Sequence, residues 1–251
     1  MKKVTVFRGS PRKQGNTNAL TDAVVDRFRE EDCEIREFNL YDMHIEPCLA
    51  CRKCQDDWSE VSCAQYDDMQ QIFDAVMDSE LLILATPIYS WYCTPPMKAM
   101  LDRLVYAMNM YYGEERGPSL WQGKKVALIT TSGYPADKGP DLLEEGMRRY
   151  CKHSQLEYTA MLWGRHSGYT IDFMDEEKQK QAVAFADKLL AADRICPCCG
   201  QYYFTEKNAY EICPVCGWED DPLQRREPEF EGGANRLSLQ EARRKYHEEA
   251  E

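Results

Sequence analysis

A chain of 251 residues, 43% hydrophobic and 29% charged, has the apolar content of a folded protein and room for one large domain or two, which excludes a disordered chain. Its formal net charge of −12 argues against a nucleic-acid partner, because such binding leans on cationic contacts to phosphate. No run of about 18 apolar residues occurs, so no membrane span is expected, and Met1-Lys2-Lys3 passes straight into a strand without the apolar region of a secretory signal, which predicts a cytoplasmic protein. In that reducing compartment twelve cysteines read as metal or redox chemistry rather than a disulfide framework.

The first element is a β-branched strand, Val4 to Phe7, that ends in Gly9-Ser10-Pro11. A loop follows, and a helix opens near Asn16 with Leu20, Ala23, Val24 and Phe28 on one face. A loop feeding a helix N-terminus exposes unpaired backbone N–H groups under the positive end of the helix dipole, which makes an anion site. Ser10, Asn16, Thr17 and Asn18 add side-chain donors, Arg12 adds a charge, and Gly15 closes the loop. Asn16-Thr17 stands where a nucleoside-triphosphate loop needs Lys-Ser/Thr, and two glycines are too few for a dinucleotide fingerprint. A hydroxyl- and amide-rich loop of this kind suits a monoester phosphate such as that of FMN. Gly9-Ser10-Pro11-Arg12-Lys13-Gln14-Gly15-Asn16-Thr17 resembles the phosphate loop of flavodoxin-like NAD(P)H-dependent FMN oxidoreductases, including the iron–sulfur flavoproteins.

Further along, Cys33 to Leu40 alternates apolar and polar residues as a sheet-edge strand does. A long cysteine-bearing loop leads to a helix from Tyr66 to Ser79, with Met69, Ile72, Phe73, Val76 and Met77 on one face. Leu81 to Ala85 is continuously apolar, the mark of a strand covered on both faces. A helix from Met97 to about Met110, a strand from Lys125 to Thr131, a helix from Leu142 to His153, a strand from Leu156 to Leu162 and a helix from about Asp175 to Ala192 complete the series. Five strands alternating with five helices predict an α/β fold, a parallel sheet with helices on both faces. The resemblance implies a flavodoxin-like strand order of 2-1-3-4-5. Composition changes at Asp193-Arg194, so residues 1–193 and 195–251 are expected to form two domains.

In such sheets ligands bind beyond the carboxyl ends of the strands, where the loops after strands one, three and four gather. The loop after the third strand offers Pro87, Ile88, Tyr89, Ser90 and Trp91, with aromatic faces and amides able to flank an isoalloxazine ring. The loop after the fourth offers Thr131, Ser132, Gly133 and Tyr134, with Gly133 allowing close backbone approach. Pro87-Ile88-Tyr89 followed by Pro95-Pro96-Met97-Lys98 belongs to the same resemblance, in which these two loops hold the flavin. Cys93 lies near this pocket without a nearby histidine, so it is read as a packing residue, and His166 borders the nucleotide site or is an ordinary loop residue.

Cys48, Cys51 and Cys54 are separated by two gaps of two residues, and Cys63 follows after eight more. Three thiolates at that spacing can converge on one cluster and a more distant fourth completes a [4Fe–4S] site. The loop resembles the cluster loop of iron–sulfur flavoproteins, with Asp56 to Glu60 inserted in the final gap; the alternative is a set of reduced cysteines.

Near the C-terminus, Cys196-Pro197-Cys198-Cys199-Gly200 and Cys213-Pro214-Val215-Cys216-Gly217 are two copies of one knuckle, 13 residues apart. Cys196, Cys199, Cys213 and Cys216 form a four-thiolate metal set, with Cys198 outside it. Zinc is favoured and iron, as in a rubredoxin-like site, is the alternative. Glu211 to Asp221 and Gly232 to Arg243 resemble the bacterial cysteine-rich CPCC family, and Ser238 with Glu241 predicts a capping box at the start of a last helix. Seven Lys/Arg against twelve Asp/Glu in residues 195–251 argue against a nucleic-acid role for this module.

Together the resemblances imply an FMN-dependent oxidoreductase that passes electrons from NAD(P)H to an acceptor such as a quinone or free flavin. Its partners would be a small-molecule donor and acceptor, and it would assemble as a homodimer or homotetramer with shared flavin pockets. The chemistry belongs to the cofactor, so no side chain is assigned a catalytic role. The alternatives are an iron–sulfur flavoprotein electron carrier and a non-catalytic flavin-fold binding or sensing protein.

Overall fold

The computed structural model describes residues 2–166, 173–191 and 194–249. Two compact units divide the chain between Ala186 and Asp187. The first contains five strands, β1 (Lys3–Arg8), β2 (Glu34–Asn39), β3 (Leu81–Pro87), β4 (Lys125–Ser132) and β5 (Glu157–Arg165). They pair in parallel in the order β2-β1-β3-β4-β5, as the resemblance implies. The register brings Val4 beside Leu81 and Leu81 beside Lys125. Leu81, Leu82, Ile83, Leu84 and Ala85 are buried, as expected for a central strand, whereas no residue of β2 at the sheet edge is.

The helices are α1 (Asn16–Glu30), α2 (Met69–Asp78), α3 (Pro95–Met108), α4 (Asp141–His153) and α5 (Glu176–Ala191). α2 begins three residues later than its apolar periodicity predicts because Asp67 and Asp68 are engaged by the preceding loop: Glu46 N–H donates to Asp67 and His44 N–H to Asp68, at 2.9 and 2.7 Å. α3 begins two residues earlier, with Pro95 and Pro96 in its first turn, where a missing N–H carries no penalty. Behind α3 a buried polar network ties the loops together. Asn109 Oδ1 accepts from Trp121 Nε1 at 2.9 Å and from Ser119 Oγ at 3.0 Å, while Asn109 Nδ2 donates to Ser154 Oγ at 2.9 Å.

In the second unit the two knuckles carry short antiparallel bridges, Ile195 to Tyr203 and Ile212 to Glu219. A five-residue helix, α6 (Pro222–Arg226), has no counterpart in the sequence reading. Asp221 caps it by accepting from the N–H groups of Leu223 and Gln224. Gln224 then donates to the carbonyls of Phe230, Asn235 and Leu237 and so holds the irregular segment that follows. The last helix, α7 (Leu239–Glu249), opens on the expected capping box: Ser238 N–H donates to Glu241, and Glu241 N–H to Ser238 Oγ, both at 3.3 Å. No helix among the described residues is long and apolar enough to cross a membrane.

Candidate functional site

At the carboxyl edge of the sheet, a cavity of about 270 Å³ is lined by Ser10, Arg12, Gly15, Asn16, Thr17, Pro87, Ile88, Tyr89, Thr131, Ser132, Gly133 and His166. Three loops are drawn together there by hydrogen bonds. Gly9 N–H donates to Ala85 O at 2.7 Å, and Ile88 N–H to Thr131 O at 2.9 Å. Thr94 Oγ1 donates to Gly9 O at 2.7 Å. Thr17 and Thr131, both buried, meet hydroxyl to hydroxyl at 2.7 Å.

The phosphate loop leads into the first turn of α1. Its N-cap is Gly15, extended and without a side-chain oxygen to offer, and the first turn contains no acidic residue. The first N–H groups of the helix are thus left to an external anion. Asn18 shapes the loop rather than lining the cavity: its Nδ2 donates to the carbonyls of Arg12 and Lys13 at 3.0 and 3.1 Å. A donor set of hydroxyls, amide and one guanidinium around an uncapped helix terminus fits a phosphate monoester, and so fits FMN.

Ser90, Trp91 and Tyr134 do not line this cavity. Ser90 and Trp91 occupy the centre of a tight turn with φ of 49° and 70°, closed by reciprocal bonds between Tyr89 and Tyr92. Neither residue is a glycine, so the turn holds two side chains in the left-handed region. Trp91 Nε1 donates to Lys138 O at 3.2 Å, and Tyr89, Trp91, Tyr92 and Tyr134 are all exposed. His166 is the lining residue that the sequence left undecided; its Nδ1 lies 2.9 Å from Asn16 Nδ2. Cys93 is buried, and that burial pushes its thiol up to about 11, consistent with packing and not with nucleophilic attack.

Cys48, Cys51, Cys54 and Cys63 line a second, small cavity together with Arg103, Tyr106 and Ala107 of α3. Ala50 and Arg52 between these cysteines have φ of 51° and 62°, and Ala50 N–H donates to Cys48 Sγ at 3.4 Å. Backbone curled this way turns N–H groups toward an anionic centre. The inserted residues are exposed, and of them the Trp58 ring packs on Gly117. Among the described residues, the ligand atoms that converge closely enough for a single metal ion are those of Cys196, Cys199, Cys213 and Cys216, all within 4.8 Å of one another. The cysteines of the 48–63 loop do not converge in this way but line one small cavity, and four thiols around one cavity are the ligand set that a cluster needs.

In the C-terminal set, Cys196 and Cys216 sulfurs lie 3.5 Å apart and those of Cys199 and Cys213 3.7 Å. Gly200 and Gly217 close the knuckles at φ of 68° and 74°, a turn that favours glycine. Burial drives the Cys216 thiol up to about 12 and Cys196 still higher. Four crowded sulfurs, three on buried cysteines and one on the half-buried Cys216, are the donor set of a tetrahedral metal site. Cys198 is buried beside them but is not part of the converging four.

Residues 2–139 match the family described as NADPH-dependent FMN reductase, and residues 194–249 match the cysteine-rich CPCC family. Curated relatives include an iron–sulfur flavoprotein of Methanocaldococcus jannaschii, MJ1083, 31% identical over 101 residues, which are 40% of this chain and 51% of that protein. Another is an iron–sulfur flavoprotein of Archaeoglobus fulgidus, 32% identical over 105 residues, covering 42% and 46%. The chain thus spans about half the length of these relatives. Among solved structures, the NAD(P)H:quinone oxidoreductase of Methanothermobacter marburgensis superposes with a TM-score of 0.54 at 15% identity, covering 74% of this chain and 95% of that one, and so shares the fold. An uncapped helix terminus under three converging loops, a flavodoxin-like sheet and a family match over more than half its length make this chain a member of the NADPH-dependent FMN reductase family, carrying a C-terminal cysteine-rich CPCC segment.

Proposed function

We propose that this chain is an FMN-dependent oxidoreductase that takes electrons from NAD(P)H and passes them to a small-molecule acceptor such as a quinone or free flavin. The observation that carries this reading is the cavity at the carboxyl edge, where the uncapped first turn of α1 meets the loops after β3 and β4. Ser10, Arg12, Gly15, Asn16, Thr17 and Asn18 would hold or shape the phosphate end. Pro87, Ile88 and Tyr89 would flank the ring, with Ser90 and Trp91 in the turn beyond them, and Thr131, Ser132 and Gly133 would supply its polar edge, with Tyr134 next in the chain. The chemistry FMN supplies when bound is reduction by a nicotinamide hydride and delivery of those electrons to an acceptor. A quinone is the acceptor named for the Methanothermobacter protein of the same fold.

The C-terminal cysteines would hold zinc, with residue 193 as the domain boundary; residues 192 and 193 lie outside the described residues. The protein would work in the cytoplasm as a homodimer or homotetramer. A second reading, an iron–sulfur flavoprotein electron carrier, is favoured by the four loop cysteines around one cavity.

The test is the visible spectrum of anaerobically purified protein followed by NAD(P)H oxidation with added quinone. Twin flavin bands and turnover support the oxidoreductase; added brown absorbance bleached by dithionite supports the carrier. A colourless protein that takes up no FMN and oxidises no NAD(P)H overturns both.

A further inference from the structure

Arg103 sits on the buried face of α3 and is 2% exposed. Its guanidinium reaches across the cysteine loop. Nη2 donates to Cys63 Sγ at 3.3 Å and to Gln65 O at 3.2 Å, and Nη1 donates to Glu46 O at 3.4 Å and to the Asp67 carboxylate. The Arg103 and Asp67 side chains are 1% and 2% exposed. Burial alone would raise the Asp67 carboxyl, but the bonds from Arg103 and from the N–H groups of Glu46 and Met69 hold it below the ordinary carboxylate value. Arg103 Nε is buried without a partner among the described residues. Arg103 also lines the small cavity that Cys48, Cys51, Cys54 and Cys63 share.

A buried arginine is costly unless something anionic offsets it. Asp67 cancels one charge, and a fork aimed at backbone carbonyls would explain an anchor. Neither accounts for a donor placed on a cysteine sulfur. We propose that Arg103 is a positioning residue for an iron–sulfur cluster on Cys48, Cys51, Cys54 and Cys63, and that it donates to Cys63 Sγ and raises the cluster's reduction potential. This rests on the cluster reading of that loop. Adding one electron makes the thiolate-bound centre more negative by one charge, and a fixed cation at a ligand sulfur favours that reduced form. Asp67 opposes it. The pair therefore sets the potential by difference, and the two side chains have opposite effects.

The experiment is anaerobic iron and sulfide reconstitution of the full-length protein, followed by redox titration read by electron paramagnetic resonance. At a fixed potential, Arg103→Gln should lower the ratio of reduced to oxidised cluster about tenfold, a shift of about 59 mV for one electron. Asp67→Asn should raise the ratio, and Arg103→Lys should recover part of the loss. A purely structural anchor would instead reduce iron content in every variant while the retained clusters keep the wild-type potential, which overturns the inference. Shifts of the same sign in Arg103→Gln and Asp67→Asn overturn it as well. Should Arg103→Gln hold no cluster, Asp67→Asn decides alone: a raised ratio supports the proposal and an unchanged or lowered one refutes it. Wild-type protein that takes up neither iron nor sulfide removes the cluster reading itself, and this inference with it.

Discussion

Thr17 and Thr131 are 114 residues apart in sequence and share one hydroxyl–hydroxyl hydrogen bond of 2.7 Å, which fastens the first turn of α1 to the end of β4. Both side chains are buried at the rim of the candidate flavin cavity. Replacing Thr17 by valine keeps the shape, removes one partner and leaves the Thr131 hydroxyl unsatisfied, at a cost of about 1–3 kcal/mol. FMN affinity should fall roughly 5- to 100-fold. Thr17→Ser should retain most of it. Quenching of flavin fluorescence on titration measures both, and an unchanged affinity in the valine variant would remove Thr17 from the phosphate site.

Gly133 gives a test that separates ligand contact from folding. A Cβ built there meets nothing within 4 Å. Gly133→Ala should therefore leave thermal stability within about 0.5 kcal/mol of the wild type. A methyl group between the backbone and a closely packed ring should weaken FMN binding roughly tenfold. Loss of stability would contradict the open geometry; undiminished affinity would move the flavin edge away from this loop.

Much of this architecture was legible because its signals are local. The apolar run Leu81 to Ala85 announces a central strand, and each cysteine knuckle carries its own spacing. What stayed hidden depends on distant partners. His166 and Asn16 are 150 residues apart, so nothing near either one reveals that they meet at the cavity. α6 spans five residues, too few to display a helical period, and is fixed by the Asp221 cap and by Gln224 reaching up to 13 residues ahead. Arg103 did leave a trace. It lies three residues after Met100 and four before Ala107, on the apolar stripe of α3, where a charged residue demands a partner. The partner, Asp67, lies two residues before α2, at a position that the apolar periodicity places inside the helix.

The buried thiols should govern stability at alkaline pH. Burial raises Cys93 from its ordinary value of 9.0 to about 11 and Cys151 to about 12. A raised thiol keeps its proton in the folded state after the unfolded chain has lost it. Its stabilising contribution is complete below pH 9 and disappears as pH climbs through the folded values, so denaturant midpoints should decline between about pH 9 and pH 12. At pH 8 roughly one Cys93 in a thousand is a thiolate. In cluster-free protein, iodoacetamide should modify exposed Cys51 while Cys93 and Cys151 remain unlabelled until the chain is denatured. Mass spectrometry of the digested protein reads the order, and early labelling of Cys93 would refute its packing role.

The C-terminal unit should depend on its metal. Its buried core comprises Phe204, Trp218 and Leu239 with the cysteines themselves, little apolar area for an independent fold. Burial raises the Cys196 and Cys216 thiols, so a cation that binds there must displace their protons. Metal affinity then falls as pH drops, by about tenfold per pH unit for each proton displaced. Chelation, acidification or Cys196→Ser should each abolish hydrogen-exchange protection across residues 194–249 while β1, β3 and β4 stay protected. Re-addition of zinc at neutral pH should restore protection in the wild type but not in the variant. Protection that survives metal removal would mean that the apolar residues and the Gln224 and Asp221 hydrogen bonds suffice to hold the unit, and that the four sulfurs are dispensable to it.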